Sequence, residues 1–226
     1  MISKSKQIED LFKEIDGELH KKVEVYIIGC AALLLAGLKP STKDIDLIIH
    51  NKEEFASFKN ALSSLRFKSE KPTVHYCQMD LSEILVREDY RIDVFFKKVC
   101  KKFVLSDEMI KRSETILHLK NITINTCSNE DILLFKCMAE RDGDVDDCIE
   151  LAKTGLDWET IKKELINQIN INGQDVWITY VGERFDILMK RGLTIPIMKD
   201  INTLRHEFFL AWEKNINNKK NKNEIG

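Results

Sequence analysis

In the run DIDLIIH, Asp44 and Asp46 stand two residues apart, set among isoleucines and a leucine. Side chains two apart on a β-strand share a face, so the two carboxylates project together from Cα atoms roughly 6–7 Å apart. Ile45, Leu47 and Ile49 take the other face and supply the burial. Like charges at that separation raise one pKa or require a cation. Mg2+ suits such a pair, because it takes one or two carboxylates and completes its shell with water and phosphate oxygens. A third acid, Asp93, stands alone among the apolar residues of YRIDVFF, where a buried carboxylate also needs a partner. Upstream, Gly29 and Cys30 interrupt the apolar run VYIIGCAALL. Glycine at a strand-to-helix turn lets backbone approach a ligand, and a helix N-terminus favours phosphate. Thr42 and Lys43, just before the paired acids, add a hydroxyl donor and a cation.

The elements that must position these groups follow from periodicity. Ile8, Leu11, Phe12, Ile15 and Leu19 recur at helical spacing and predict a first helix ending before Lys21. VEVYIIG is a β-rich run halted by glycine, CAALLLAG a short helix closed by Gly37 and Pro40, and DIDLIIH a second strand. Asn51 is placed to cap the helix NKEEFASFKNALSSLRF. Two or three strands are expected over residues 73–99, then a helix in SDEMIKRSE and a hairpin in TILHLKNITINT turning near Lys120 and Asn121. After Cys127 the pattern is helical throughout. The expected fold class is α+β: a mixed β-sheet core with flanking helices over residues 1–127, an all-helical domain over 128–216, and a frayed lysine- and asparagine-rich tail over 217–226.

Composition narrows the class. A chain of 226 residues, 43% apolar and 32% charged, is long enough for a substantial core, and a net charge of -2 provides no global field for nucleic acid or membrane. The six cysteines include no C-x-x-C and sit mostly in apolar runs, as reduced core residues do. The N-terminus is amphipathic, and the longest apolar run is too short to span a bilayer. A cytoplasmic protein is expected.

The order of the chemical features resembles the nucleotidyltransferase superfold of DNA polymerase β and its relatives. That pattern is apolar-Gly-[Gly/Ser], a gap, acid-apolar-acid-apolar, then a lone acid between apolar residues. Here the corresponding residues are Ile28-Gly29-Cys30, Asp44-Ile45-Asp46-Leu47 and Ile92-Asp93-Val94. The stretches GCAALLLAGLKPSTKDIDLII and EDILLFKCMAERDGDVDDCIELA are further similar to minimal nucleotidyltransferase-like proteins and AbiEii-type toxin relatives. Lys136, Arg141, Asp144 and Asp147 match a K-x(4)-R-x-x-D-x-x-D helical element of that subgroup. The resemblance covers residues 29–147, about half the chain, and nothing after Leu156.

The resemblance implies transfer of a nucleoside monophosphate from an NTP to an acceptor hydroxyl, dependent on Mg2+ or Mn2+. Asp44, Asp46 and Asp93 would be catalytic and hold the metal. Gly29, Cys30, Thr42, Lys43, Lys136, Arg141, Asp144 and Asp147 would bind substrate. The implied acceptor is RNA such as tRNA, a protein or a small molecule, and a toxin–antitoxin relative would have a cognate antitoxin or partner protein. The alternative is a fold relative that binds a nucleotide or partner without catalysis. Cys30 favours that alternative, being a weak hydrogen-bond donor where the family usually has glycine or serine.

Other chemistries fit less well. Asp142, Asp144 and Asp146 mimic a calcium loop, but an EF-hand needs glycine at its sixth position and glutamate at its twelfth, where this chain has Asp147 and Lys153. Asp93-Val94-Phe95 lacks the lysine of a restriction-type metallonuclease. The histidines show no metal-ligand spacing, and no Walker loop or G-x-S-x-G is present. Trp158, Trp177 and Trp212 are expected to pack in the helical half.

Overall fold

The computed structural model describes residues 1–71, 81–88, 90–100, 103–139, 141–172 and 176–223, with backbone alone for 142, 215 and 217–223. Residues 73–80 of the expected strand region, with His75 and Cys77, lie outside the described residues.

Helix α1 (Ser5–Glu18) buries Ile8, Leu11, Phe12 and Ile15 along one stripe. The Gln7 side chain holds its start, accepting from the backbone N–H groups of Ser3 and Lys4. Strand β1 (Val23–Ile28) runs directly into α2 (Gly29–Leu35), and β2 (Ile45–Ile49) follows a connecting loop. Helix α3 (Lys52–Ser64) is capped by Asn51, whose side chain accepts from the N–H groups of Glu53 and Glu54. Strands β3 (Lys68–Glu70), β4 (Glu83–Arg87), β5 (Tyr90–Phe96), β6 (Lys98–Val99) and β7 (Phe103–Val104) come next. Helix α4 (Asp107–Arg112), capped by Ser106, leads into the hairpin β8 (Glu114–His118) and β9 (Ile122–Thr126). Helices α5 (Asn129–Ala139), α6 (Asp142–Ala152), α7 (Trp158–Asn172), α8 (Trp177–Lys190) and α9 (Met198–Asn223) complete the chain.

Among the described residues the main sheet has seven strands in the order β3-β4-β5-β2-β1-β9-β8. It is mixed: β1 pairs with β9 and β2 with β5 in parallel, while the other pairs are antiparallel. The mixed sheet with flanking helices is the expected α+β class. Every residue of β2 is buried. Ile45, Leu47, Ile48 and Ile49 are all 0% exposed. Each contributes about 1.5–3 kcal/mol by that burial, together enough to hold one carboxylate, Asp46, inside the sheet at a cost of several kcal/mol.

The chain divides into two compact units, Met1–Leu156 and Asp157–Gly226. The expected boundary at 127/128 therefore falls inside the first unit. Residues 131–138 of α5 are buried in an unbroken run, and α5 packs on α2 and α6. The switch from strand to helical pattern at Cys127 marks a change of secondary structure, not of core. In the second unit, α7 and α9 each pack on α8, and Trp158 meets Phe185 edge-on with ring centroids 5.9 Å apart. Trp177 is fully buried, whereas Trp212 is 54% exposed. Backbone helix continues through Asn223, where a frayed tail was expected from residue 217. No helix among the described residues is long and apolar enough to cross a membrane.

Candidate active site

Parallel pairing of β2 with β5 sets Asp46 directly opposite Asp93, and antiparallel pairing of β1 with β2 sets Ile28 opposite Asp46. The acids that the sequence separates by dozens of residues are thus neighbours across a strand ladder. Asp44 lies just before β2, half-buried, while Asp46 is 5% and Asp93 1% exposed.

Gly29 follows Ile28 with φ +67°, a left-handed conformation that costs other residues about 1–2 kcal/mol. A Cβ there would stand 2.3 Å from Asp46 Oδ2 and 3.1 Å from its Cγ. Glycine is needed at this turn for two reasons, one of them the carboxylate lying against it. The sequence reading assigned the open space to a ligand; Asp46 occupies part of it.

The electrostatics are those of crowded acids. Burial pushes the Asp46 carboxyl up to about 8, helped by Asp44 and Asp93 and opposed by Arg141 and Lys136. Among the described residues, no donor reaches the Asp46 carboxylate. Asp93 is raised by its burial, with Arg91 and Arg141 pulling the other way and Asp44 adding to the rise. Arg91 grips Asp93 with two hydrogen bonds, Nε to Oδ1 at 2.8 Å and Nη2 to Oδ2 at 2.9 Å. Sequence reasoning missed Arg91, although residue i−2 on the same strand face is where a partner for Asp93 should be sought.

Beside the glycine turn lies a second constellation. Lys136, 2% exposed, donates to Asp144 at 2.9 Å and Asp147 at 2.7 Å, and its Nζ is 3.6 Å from Cys30 Sγ. Arg141 Nε donates to Asp144 Oδ2 at 3.1 Å. Burial works against the charge on Lys136 and Arg141, but their aspartate neighbours win and raise both. Asp147 is held below the usual carboxylate range: its partial burial raises it, and Lys136 and Lys39 outweigh that. Lys39 went unnoticed in the sequence. Its Nζ lies 2.6 and 2.9 Å from the Asp147 oxygens and 3.4 Å from Cys30 Sγ. Nothing local signals this, because lysine and aspartate are brought together by the packing of α2 on α6.

Of the expected ligand residues, Thr42 has other partners. The Thr42 hydroxyl donates to the Asp44 carbonyl at 2.8 Å, and the Thr42 backbone pairs with Ile2. Lys43 is exposed and, among the described residues, makes no ion pair.

The donor chemistry fits a hard divalent ion: Asp44, just before β2, and Asp46, within it, offer oxygen ligands, and Asp46 lacks any other partner among the described residues. Among those residues, no group of three His, Cys, Asp or Glu side chains is placed to hold a metal ion, so Asp44, Asp46 and Asp93 do not form a three-carboxylate ligand set here. Two carboxylates leaving the remaining positions to water and phosphate match the open coordination Mg2+ adopts with nucleotides.

A family model described as a nucleotidyltransferase of unknown function (DUF6036) matches residues 6–178. Curated proteins gave no match. Among solved structures, the chain resembles ANT(2")-Ia in complex with adenylyl-2"-tobramycin, at 14% identity and a TM-score of 0.50, covering 74% of this chain and 98% of that one. It also resembles a candidate nucleotidyltransferase from Thermotoga maritima, at 16% identity and a TM-score of 0.42, covering 68% of this chain and 94% of that one.

Proposed function

Because the chain belongs to the DUF6036 family of nucleotidyltransferases, we propose that it transfers a nucleoside monophosphate from an NTP to an acceptor hydroxyl and releases pyrophosphate. The observation that carries this reading is the register that sets buried Asp46 against both Gly29 and Asp93. Asp44 and Asp46 would hold Mg2+ or Mn2+, with Asp93 joining them. When bound, the metal would supply charge compensation on the phosphates and lower the pKa of the acceptor hydroxyl.

The chain's own groups do the rest. Backbone N–H groups of Gly29 and Cys30 face the phosphates, and Lys136 and Arg141 keep the adjacent acids neutralised so that an anion is tolerated. Asp93 orients the acceptor hydroxyl. As the hydroxyl gives its proton to the Asp93 carboxylate, the hydroxyl oxygen attacks the α-phosphorus, the bond to the α–β bridging oxygen breaks, and pyrophosphate leaves. The acceptor is an RNA such as tRNA, a protein or a small molecule, and a toxin–antitoxin setting would add a partner protein.

A second reading has its own observation. Arg91 satisfies Asp93 with two short hydrogen bonds, as in a relative that binds nucleotide without catalysis. One experiment separates the two. The protein is incubated with each labelled NTP, Mg2+ and cell extract or total RNA, alongside Asp46→Asn. Label transferred by the wild type and lost in the variant supports transfer. Nucleotide binding without labelling of any acceptor supports the second reading, and neither binding nor labelling overturns both.

A further inference from the structure

Lys39 lies in the loop between α2 and β2, and that loop is tied at both ends. At its start, Gly37 at φ +73° ends α2, with its N–H on the Leu34 carbonyl and that of Leu38 on Leu33. At its end, Thr42 and Ile2 exchange backbone hydrogen bonds of 2.9 and 2.8 Å. Both ends of the loop are thereby fixed while the Lys39 Nζ stands beside Cys30, so the side chain can move without the loop.

Two lysines share Asp147, and they differ in exposure. Lys136 is 2% exposed and is also bonded to Asp144. Lys39 is 30% exposed, with Asp147 and the Cys30 sulfur as its partners. Removing one member of a buried ion pair is costly because it leaves a bare charge behind. Here that cost is largely absent: if Lys39 swings away, Asp147 keeps Lys136 at 2.7 Å. The arrangement makes one cation fixed and the other exchangeable. The exchangeable ammonium lies 3.4 Å from Sγ of Cys30, the residue whose thiol is a poor donor for phosphate.

We propose that Lys39 is a triphosphate-binding residue: it leaves Asp147 for a non-bridging oxygen of the β- or γ-phosphate and supplies the donor that the Cys30 side chain cannot. This rests on the nucleotidyl-transfer reading above. It predicts a dependence on phosphate number, since a lysine reaching past the glycine turn gains nothing from a monophosphate.

The test is calorimetric titration of the full chain and of Lys39→Met with ATP, GTP, CTP and UTP in Mg2+, and with the matching monophosphates. Lys39→Met should weaken the bound NTP by about tenfold or more while changing monophosphate affinity by less than about twofold, the tenfold step being about 1.4 kcal/mol. Cys30→Ser placed on Lys39→Met should recover part of the loss. Equal NTP affinity in wild type and Lys39→Met overturns the role of Lys39 and leaves nucleotidyl transfer standing. A wild type that binds no NTP overturns both. Should Lys39→Met fold poorly, acetylation of Lys39 in the wild type, followed by mass spectrometry, decides the matter. Inorganic tripolyphosphate should slow that acetylation and orthophosphate should not; equal rates with both overturn the proposal.

Discussion

Replacing Gly29 by alanine tests whether the turn is shaped by Asp46 or only by its own backbone. The left-handed φ of +67° costs alanine about 1–2 kcal/mol wherever it occurs. The added Cβ meets Asp46 Oδ2 at 2.3 Å, Cγ at 3.1 Å and Cβ at 3.2 Å. Rotation of the carboxylate about Cβ–Cγ relieves only the first contact; Cβ is held by the strand backbone, and Cγ can move only by a change of χ1 inside a strand buried along its whole length. Overpacking of this kind costs about 1–3 kcal/mol, so Gly29→Ala should lose about 2–5 kcal/mol in all. Asp46→Ala removes the oxygen and Cγ, leaving mainly the backbone cost. Urea unfolding of the wild type, both single variants and the double variant gives the coupling, expected at about 1–3 kcal/mol. In a chain of this size that is a difference of roughly 2–4 °C in melting temperature per kcal/mol. If Gly29→Ala costs the same with Asp46 as without it, the contact exerts no constraint and the reasoning is wrong.

Four further outcomes are expected. Mn2+ titration should show a site in the wild type that Asp44→Asn with Asp46→Asn removes; unchanged binding in the double variant refutes the metal assignment. Lys136→Met should destabilise the protein by about 3–5 kcal/mol, toward the lower end because Lys39 still serves Asp147, and a chemical-denaturation midpoint equal to wild type contradicts the buried pairing. Asp93→Asn should abolish transfer while leaving Mg2+-nucleotide affinity within about tenfold, so full-rate transfer removes Asp93 from the catalytic set. Finally, Asp46 keeps a proton in the folded chain between its ordinary 3.8 and about 8, whereas the unfolded chain has lost it there. Metal-free stability should therefore fall as pH rises across that window, and Asp46→Asn should flatten the slope; a melting temperature that climbs over the same range in chelator, and climbs less in the variant, goes against it.

The acids were legible because their pattern is local. A two-residue period on one strand places Asp44 and Asp46 together, and an acid amid apolar residues marks Asp93 as buried. The partners were less legible. Arg91 obeys the same two-residue period and was within reach of sequence reasoning. Lys39 was not, since it meets an aspartate 108 positions away through helix packing that no periodicity encodes. Lys136 and Arg141 were expected to bind substrate; in the structure Lys136 pairs with Asp144 and Asp147, and Arg141 with Asp144. Thr42 was named for its hydroxyl, but its backbone bridge to Ile2 was invisible because a single isolated pairing leaves no pattern. The first compact unit extends past Cys127 to Leu156 because α5 is buried over residues 131–138, a packing that helical periodicity alone does not reveal.

The span of the site along the chain has a consequence for when it comes into being. Its members run from Gly29 to Asp147, and the central strand β1 needs β9 as its partner on one side. A chain leaving the ribosome exposes the glycine turn and first two acids early, but at about 5–20 residues per second roughly 5–20 s pass before Asp147 is made. Until then Lys39 lacks the Asp147 carboxylate, and for most of that interval Asp46 also lacks Lys136 and Arg141. Any fragment ending before α6 lacks Asp144 and Asp147, and with them the carboxylates that pair Lys39, Lys136 and Arg141.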